Sequence, residues 1–500
     1  MRRIFHSAVV LSLAGSIDGC IVGPDFHPPQ PPAVTHYPSA SLPDHTASGD
    51  APGAEAQRFI VGRDIPAEWW TLFQSPVLDA LVRQALTDSP KLTQAQAKLV
   101  RARAGLETRQ GATKYPAVDA GGSVNAVGVE SDAVTSSALS AVDFPLTLSL
   151  ASVSVSYTLD LFGRNRRELE ALQAAVDFER FQLEASRLML AGNVVTTAIE
   201  EAALRQQIAT TEESIDLVTR QLEIVERLEQ IGAVAKRDTV TQSGELAATR
   251  ATLPALHQRL EQTRHRLAVY LGQPPASAQL PVFRLADLHL PTALPVSLPS
   301  DLARQRPDIR AAEALLHEAS ARVGVAEANF YPRITLSGQG GAVAVAPLLS
   351  GVAGFALLGA SIAQPLFHGN ELKGQKRAAV AAFDQAGAAY HDVVLSGLQN
   401  VADILVALDA DARTLRERTA AATLADTAYE ITSHQYEAGG VSLLELLEAQ
   451  RRRVSASTEV TRSMAARFTD SAALFQALGG GWWAVPPANA TAPPPGPPKR

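Results

Sequence analysis

Most of this sequence occurs twice, and the duplication constrains its fold more than any other feature. The recurring pairs are Tyr115-Pro116-Ala117-Val118 with Tyr331-Pro332-Arg333-Ile334, Leu161-Phe162-Gly163-Arg164-Asn165 with Leu366-Phe367-His368-Gly369-Asn370, Ile231-Gly232-Ala233-Val234 with Ala438-Gly439-Gly440-Val441, and Leu271-Gly272 with Leu478-Gly479. Chance rarely preserves both the order and the spacing of several motifs. We therefore predict two structural repeats, at residues 58–272 and 299–480, joined by a proline-containing linker at residues 273–298.

Apolar residues recur every seven positions in parts of the repeats, as they do along the seam of a coiled coil. The first repeat has three such runs: Leu169, Val176, Leu183 and Leu190; Leu204, Thr211, Val218 and Val225; and Leu246, Leu253, Leu260 and Leu267. The first two runs predict one uninterrupted helix from about Arg164 to Gln230, roughly 100 Å long at 1.5 Å per residue. Pro254 should kink the helix that carries the third run. A compact domain has no need of helices this long.

Two segments in each repeat change to a period of two, which is typical of β-strands. We predict strands near residues 117–130, 147–161, 333–345 and 354–366. Between Ser152 and Leu161, apolar residues alternate with serine, threonine and aspartate, and ten residues suit a tilted transmembrane strand. On periodicity alone, an ordinary half-buried sheet remains the alternative. The fold class is therefore α+β, with strands that either cross a membrane or pack in a soluble sheet.

The membrane interpretation requires more than one copy of the chain. Four strands are too few to close a barrel, and an open sheet edge leaves backbone amides without partners in hydrocarbon. The chain must then oligomerise in order to cross a membrane. After the N-terminal region, no run of eighteen or more consecutive apolar residues occurs, so we expect no transmembrane helix in the mature chain.

The first 19 residues read as a signal peptide, in which Arg2 and Arg3 precede a short apolar core. It ends at Ile17-Asp18-Gly19-Cys20, which resembles a lipobox, and Cys20 is the only cysteine. We predict that Cys20 carries the lipid anchor, including a palmitate-type acyl chain. The alternative is an incidental cysteine, because Ile17 and Asp18 depart from the usual lipobox pattern. Isoleucine rather than aspartate follows Cys20, which favours sorting to the outer membrane.

Proline marks both ends of the mature chain. Residues 20–57 are rich in proline, so we predict an extended tether between the lipid anchor and the folded body. Residues 481–500 are also rich in proline, and we predict a disordered tail there. The net charge of -7 comes without a basic stripe, so nucleic acid is not an expected partner.

None of the motifs that suggest catalysis is complete. Gly369 to Lys376 superficially suggests a phosphate loop, but Gln375 separates Gly374 from the lysine. Gly338-Gln339-Gly340 lacks the third glycine of a dinucleotide turn, and the eleven histidines show no metal-ligand spacing. We therefore predict no enzymatic activity, no cofactor and no metal site.

Several motifs in fixed order carry a resemblance to a known family. They are Trp69-Trp70-Thr71-Leu72-Phe73, Arg306-Pro307-Asp308-Ile309-Arg310-Ala311-Ala312-Glu313, Phe330-Tyr331-Pro332 and Leu446-Leu447-Glu448-Ala449-Gln450-Arg451. Together with the duplication, they resemble the TolC and OprM family of outer-membrane efflux channels over nearly the whole chain. Cys20, Val22, Gly23, Pro24 and Asp25 are similar to the start of its lipidated branch.

The resemblance implies a homotrimer in the Gram-negative outer membrane, with a twelve-stranded β-barrel and a coiled-coil α-barrel that extends into the periplasm. It also implies passive export of drugs or other small molecules, and hence multidrug resistance. The implied partners are outer-membrane lipid, a periplasmic adaptor (membrane fusion protein) and an inner-membrane transporter of the RND class. The alternatives are a type I secretion duct and a lipid-anchored periplasmic coiled-coil scaffold.

The turns where long helices reverse are the first candidate site. In the resembling family, these turns are the periplasmic tips that meet the adaptor, which assigns adaptor docking to Gly232, Gly439 and Gly440. Glycine also ends helices for steric reasons alone, and the two interpretations are compatible.

Acidic residues after these turns are the second candidate site. Glu445 and Glu448 lie three residues apart and so on one helical face, and the resemblance implies that they form acidic rings at the periplasmic gate. Asp238, at the matching place after the first turn, is a weaker candidate. The alternative is an exposed pair in which Glu448 lies near Arg451 or Arg452.

Overall fold

The computed structural model describes residues 21–34, 36–37, 43–127, 146–346 and 351–484. Its helices are α1 (Pro76–Asp88), α2 (Pro90–Lys114), α3 (Arg164–Gln230), α4 (Lys236–Arg250), α5 (Leu253–Tyr270), α6 (Pro299–Gln305), α7 (Pro307–Ala328), α8 (Glu371–Glu437) and α9 (Leu443–Ala477). Its strands are β1 (Arg58–Val61), β2 (Ala117–Val127), β3 (Leu146–Leu159), β4 (Ala293–Val296), β5 (Arg333–Ala346) and β6 (Ala353–Ala363). The predicted signal peptide, Cys20 and most of the predicted tail lie outside the described residues.

Helix α3 has the bounds that the seven-residue pattern predicts, and its counterpart α8 in the second repeat has the same length of 67 residues. Leu204 and Ile208 of α3 are buried against Leu260 of α5, with Leu253 and Leu256 packed around them. The predicted seam is therefore the surface along which α3 and α5 pack.

Pro254 interrupts its helix rather than kinking it. Helix α4 ends at Arg250, and α5 begins at Leu253, with proline in its first turn. In the first turn the missing N–H of proline has no intrahelical acceptor to lose, so a new helix starts there without cost. The second repeat has Thr461 at the corresponding place, and α9 continues through it.

Four strands form an antiparallel sheet in the order β2-β3-β5-β6. Its register places Val118, Val155, Gly338 and Leu358 in one row across the sheet. Because this row and its neighbours on the same face are apolar and exposed, with Leu358 reaching 89% exposure, one face of the sheet is an uncovered hydrophobic surface. The sequence alternation predicted this face.

The opposite face of the sheet is mixed in character. Gln339 donates a hydrogen bond to the hydroxyl of Ser152 at 3.0 Å, and the hydroxyls of Thr158 and Thr335 lie 3.2 Å apart. Towards the other end of the strands, this face carries apolar residues such as Leu150. The polar part lies on the half of the sheet nearest to α3.

A second, two-stranded sheet pairs β1 with β4 in parallel. The predicted linker at residues 273–298 therefore contributes a strand to the folded body, and Phe283, Leu285 and Leu294 of this segment are buried. The predicted linker is thus packed as part of the folded body, because its prolines flank buried apolar residues.

Residue contacts divide the chain into two units. The first consists of Met1–Pro29, Lys98–Glu179 and Ala312–Tyr390, and it contains the four-stranded sheet. The second consists of Gln30–Ala97, Arg180–Ala311 and His391–Arg500, and it contains the two-stranded sheet. In the second unit, the ring of Trp69 stacks on that of Phe475 with centroids 5.4 Å apart.

The predicted tether is only partly free of the body. Its described residues contain no helix, in agreement with the proline content. However, Gln57 and Thr46 are buried, and Gln57 donates a hydrogen bond to the hydroxyl of Ser471 at 2.9 Å. Part of the segment is therefore bound within the second unit instead of serving as a loose connection.

The first residues of the predicted disordered tail, 481–484, belong to the folded body. Trp482 donates a hydrogen bond to the backbone oxygen of Gln305 at 2.7 Å, and its ring packs edge-on against Phe181. These contacts place the start of the predicted tail in the folded body, because the tryptophan pair anchors it. Residues 485–500 lie outside the described part.

Helix α8 contains a long stretch that is mostly apolar. An 18-residue window within it has a mean hydropathy of 1.5, so the helix is long and apolar enough to cross a membrane, although it contains no uninterrupted apolar run of that length. Only 28% of this window is buried within the chain. One such helix is weak evidence for a membrane span, since a helix buried between protein subunits has the same composition.

Candidate functional site

The two helix reversals of the second unit have the same backbone geometry. After α3, Ala233 N–H donates to the carbonyl oxygen of Leu228 at 2.8 Å, and after α8, Gly440 N–H donates to that of Gln435 at 2.8 Å. Such bonds, which span five residues, close the last turn of a helix when the preceding residue is left-handed. The turns are therefore a duplicated structural unit.

The three predicted turn glycines are not equivalent. Gly232 and Gly439 have φ angles of 76° and 75°, a region that residues with a Cβ rarely adopt. Gly440 is not among the residues with positive φ, and it corresponds to Ala233 in the first turn. Gly232 and Gly439 are thus required by the backbone, whereas Gly440 is not.

The acidic candidates Glu445 and Asp238 occupy corresponding places, in the first turns of α9 and α4. The carboxylate of Glu445 accepts a hydrogen bond from the backbone N–H of Ser442 at 3.0 Å, and that of Asp238 accepts one from Ala235 N–H at 3.3 Å. Ser442 also caps α9 by accepting a hydrogen bond from Glu445 N–H. Both carboxylates therefore stabilise helix starts, where the helix dipole also favours negative charge.

Glu448 belongs to an ion-pair cluster around Arg451. One guanidinium nitrogen of Arg451 lies 3.1 Å from a carboxylate oxygen of Glu448, and Nε lies 3.0 Å from one of Glu245. The hydrogen bonds to Glu245 are the largest cause that raises the pKa of Arg451 above its ordinary value. The cluster joins α4 to α9, that is, the two helices that follow the two turns.

This cluster agrees with the alternative interpretation of Glu448 as a partner of Arg451. Glu445 lies on the same face but is not a member of the cluster, because its carboxylate turns back to its own helix start. The sequence analysis missed Glu245, which lies 206 positions from its partner Arg451. No local pattern signals an ion pair over that separation.

Further polar contacts surround the turns. The carboxylate of Glu229 accepts a hydrogen bond from the hydroxyl of Thr239, which lowers the pKa of Glu229, and Lys236 pairs with it at 3.3 Å. At the second turn, burial and the nearby charge of Asp238 raise the pKa of the Tyr436 hydroxyl. Asp238 thus faces the second turn, although it belongs to the first repeat.

A groove of about 580 Å³ lies beside the ion-pair cluster and is lined by α3, α4, α5 and α9. Gln450, which follows the Leu-Leu-Glu-Ala part of the motif, lines it with a buried amide group whose nitrogen and oxygen have no hydrogen-bond partner in the protein. Within the described residues, no cluster of three or more His, Cys, Asp or Glu side chains is arranged to hold a metal ion. In this region, α3, α4, α5 and α9 meet around the groove, and the ion pair between Glu245 and Arg451 joins α4 to α9.

Comparison with known proteins places this geometry in a family. A family model described as "Outer membrane efflux protein" matches residues 81–273 and 298–480, which together are more than half of the chain. The chain belongs to the outer membrane efflux protein family. It is accordingly an outer-membrane channel of an efflux pump, with the α+β fold of that family.

Relatives and solved structures of this family match over most of their lengths. The pyoverdine export outer membrane protein OpmQ of Pseudomonas putida is 29% identical over 467 residues, which are 92% of this chain and 96% of the relative. Nodulation protein T of Rhizobium leguminosarum bv. trifolii is 27% identical over 462 residues, 90% of this chain and 91% of the relative. The structure of the outer-membrane channel OprN has a TM-score of 0.80 at 27% identity and covers 93% of this chain and 100% of that one.

Proposed function

We propose that three copies of this efflux protein close a twelve-stranded barrel and form the exit duct of a tripartite pump. The observation that carries the proposal is the four-stranded sheet, whose edge strands β2 and β6 have no further partner among the described residues and whose apolar face is exposed. Each unpaired backbone group costs several kcal/mol in hydrocarbon, so both edges require strands of neighbouring copies. Pairing of β6 in one copy with β2 in the next satisfies them.

An exposed apolar stripe on α8 supports the same oligomer. Leu395 and Val406 are eleven residues apart and thus on one helical face, with 52% and 54% of their surfaces exposed in the single chain. The apolar window of α8 is also mostly uncovered. Burial of this stripe between copies stabilises the oligomer through the hydrophobic effect, whereas in the single chain the stripe stays exposed to water.

The gate in this proposal lies at the two helix reversals. Arg451 holds α4 and α9 together through Glu245, which favours the closed arrangement of the duct. Three copies of Glu445 and Glu448 line the constriction as acidic rings, with a smaller contribution from Asp238. Because Arg451 offsets the charge of Glu448, Glu445 supplies most of the unpaired negative charge.

The turns at Gly232, Gly439 and Gly440 are the proposed docking points for a periplasmic adaptor, which connects the duct to an inner-membrane transporter of the RND class. The named substrates of relatives, pyoverdine and toluene, are small molecules, and they support small-molecule export, including drugs, by this chain. Passage through the duct is passive and needs neither a cofactor nor an enzymatic step, and substrate selection takes place upstream.

Acylation of Cys20 is the proposed means by which the chain is anchored to lipid, after removal of residues 1–19. The support is the lipobox-like sequence and the proximity of the following residues to the membrane strands. A coiled-coil scaffold would have no use for a sheet with an exposed apolar face, so the scaffold alternative gains no support. A type I secretion duct shares this architecture, and the genomic neighbourhood of an ABC exporter would favour it.

Single-channel conductance in planar bilayers tests the duct and its gate together. The wild-type trimer should conduct weakly, and Glu245→Gln should raise its conductance at least threefold, because it removes the ion pair that joins α4 to α9. Glu445→Gln should reduce cation selectivity, measured as the reversal potential in a salt gradient, because glutamine keeps the helix cap but removes the charge.

Glu261→Gln is the matched control, since Glu261 is an exposed residue of α5 and does not line the groove beside the cluster. It should leave both the conductance and the reversal potential unchanged. Absence of conductance in the wild type and in Glu245→Gln would reject the duct. Equal conductance of Glu245→Gln and the wild type would reject the gate while leaving the duct intact.

A further inference from the structure

Arg167, near the start of α3, binds the segment that directly follows the predicted lipidated cysteine. Its side chain is only 5% exposed. Nε donates to the backbone oxygen of Val22 at 3.3 Å, and Nη2 donates to the backbone oxygen of Gly23 at 3.2 Å and to a carboxylate oxygen of Asp25 at 2.7 Å. The remaining nitrogen, Nη1, pairs with Glu170 at 2.8 Å. The buried guanidinium of Arg167 thus donates most of its hydrogen bonds to this short peptide segment.

Glycines allow the segment to approach this closely. Gly23 has a φ of 93°, and a Cβ at this position would lie 2.4 Å from the Cα of Gly324 in α7. A Cβ on Gly324 would in turn lie 2.9 Å from Cγ of Arg167, and one on Gly163 would lie 2.9 Å from Ile21. No side chain larger than hydrogen fits at these three positions without a shift of the neighbouring backbone or of Arg167.

The same segment is held at both of its ends. At the beginning, Val22 N–H donates to the backbone oxygen of Phe162 at 3.3 Å. At the end, the ring of Phe26 stacks on that of His317 with centroids 4.3 Å apart and planes at 11°. His317 also lies 2.9 Å from a carboxylate oxygen of Glu170, so that Glu170 joins the histidine to the guanidinium of Arg167.

The internal duplication provides a built-in comparison for this site. The alignment that pairs Phe162 with Phe367 pairs Arg167 with Leu372 and Glu170 with Gln375. The alignment that pairs Tyr331 with Tyr115 likewise pairs Gly324 with Thr108. The second strand–helix junction of the chain therefore lacks the guanidinium, the carboxylate and the glycine. Since the fold is otherwise repeated, packing of the repeat alone does not require them.

We infer that Arg167, Glu170, Gly324 and His317 form a recognition site for the mature N-terminal segment Ile21–Phe26, which fixes where the lipid anchor leaves the folded body. The inference rests on the proposed acylation of Cys20 only for the identity of the anchor. Ile21 contacts Gly163, four residues after the end of β3. An acyl group on the preceding residue is thereby attached beside the end of a membrane strand, where lipid headgroups lie.

Hydrogen exchange of the purified full-length trimer, followed by mass spectrometry, tests the recognition site. In the wild type, peptides that contain Val22, whose N–H donates to the backbone oxygen of Phe162, should exchange slowly at that amide in spite of their lack of secondary structure. Arg167→Gln should speed their exchange at least tenfold, and Gly23→Val should do the same from the side of the bound segment. Leu372→Gln, at the corresponding position of the second repeat, should leave their exchange unchanged.

Hydrogen exchange in β3 and α3 of the same samples reports whether a variant is folded. If Arg167→Gln does not fold, Gly23→Val still tests the recognition site. Rapid exchange of the Val22 amide in the wild type, or wild-type protection of that amide in Gly23→Val, would overturn the inference. Intact mass reports acylation of Cys20 separately. A protected segment without acyl chains would leave the recognition site standing and reject the proposed lipid anchor.

Discussion

Several charged side chains of the second unit are buried or half-buried, and each has a distinct set of partners. Arg467 donates hydrogen bonds to the backbone oxygens of Gly53 and Glu55, and it thereby binds the proline-rich segment to α9. Asp411 of α8 and Asp470 of α9 form a carboxyl pair, with Arg467 and Arg418 as the nearest positive charges. Burial and the neighbouring charge of Asp411 raise the pKa of Asp470 to about 7.

The carboxyl pair predicts a pH-dependent stability of the α8–α9 contact. Because the folded-state pKa of Asp470 is raised, the folded protein keeps a proton that the unfolded chain releases near pH 4. The stability that this bound proton contributes to the folded protein is complete below about pH 4 and is lost as the pH rises to about 7. Asp470→Asn, which keeps a hydrogen-bond donor, should therefore stabilise the protein at pH 7 by about 1–2 kcal/mol and flatten this pH dependence.

Thermal unfolding followed by circular dichroism between pH 4 and pH 8 measures the effect. Asp392→Asn, which alters an exposed carboxyl group on α8, serves as the control and should reproduce the wild-type profile. If the melting temperature of Asp470→Asn depends on pH as steeply as that of the wild type, the carboxyl pair is not the source of the pH dependence.

At the scale of elements, matching sequence motifs produce matching geometry in the two repeats. Helices α3 and α8 have equal lengths, and both end in a turn with a left-handed glycine and a bond that spans five residues. The repeats differ where proline interrupts the first one between α4 and α5, whereas α9 is continuous. The two repeats thus share one arrangement of elements and differ where their residues differ, as at the proline of α5.

The difference between Gly439 and Gly440 can be tested directly. Gly439→Ala should destabilise the end of α8 by about 1 kcal/mol, because alanine is strained at positive φ. Gly440→Ala should be neutral or slightly stabilising, since its counterpart in the first turn is already alanine. Hydrogen exchange at the C-terminal end of α8 distinguishes the two variants, and equal effects would contradict the assignment of the turn geometry.

At the scale of the whole molecule, surfaces that one chain leaves uncovered support the proposed assembly of three copies. The apolar sheet face suits lipid, and the open strand edges and the α8 stripe suit neighbouring copies. The proposed duct, barrel and gate therefore all depend on contacts between chains. This dependence explains why a chain rich in long helices has so many exposed apolar residues.

The α8 stripe gives a prediction for assembly. The double variant Leu395→Arg and Val406→Arg should convert most of the trimer to monomer in detergent, because two arginines per copy cannot be buried in an apolar contact without partners. Glu430→Arg, on a different face of α8, should remain trimeric. Size-exclusion chromatography with light scattering gives the masses, and a trimeric double variant would remove α8 from the subunit interface.

Features that repeat locally along the chain could be predicted from the sequence. The seven-residue period gave the bounds of α3, the period of two gave the strands and their apolar face, and glycines marked the turns. These features depend on backbone geometry and on neighbours a few residues away, so a single sequence contains them. The same periods repeat in both halves, which made the duplication visible.

Contacts between residues far apart in the sequence could not be predicted and became visible in the folded chain. Arg451 with Glu245, Arg467 with Gly53 and Arg167 with Asp25 are pairs that no period or motif connects. Their formation depends on how whole helices are placed, and an arginine in a helical stretch looks the same in sequence whether it is solvated or buried. For that reason a proline-rich segment that reads as a loose tether is in fact bound, at its start by Arg167 and near its end by Arg467.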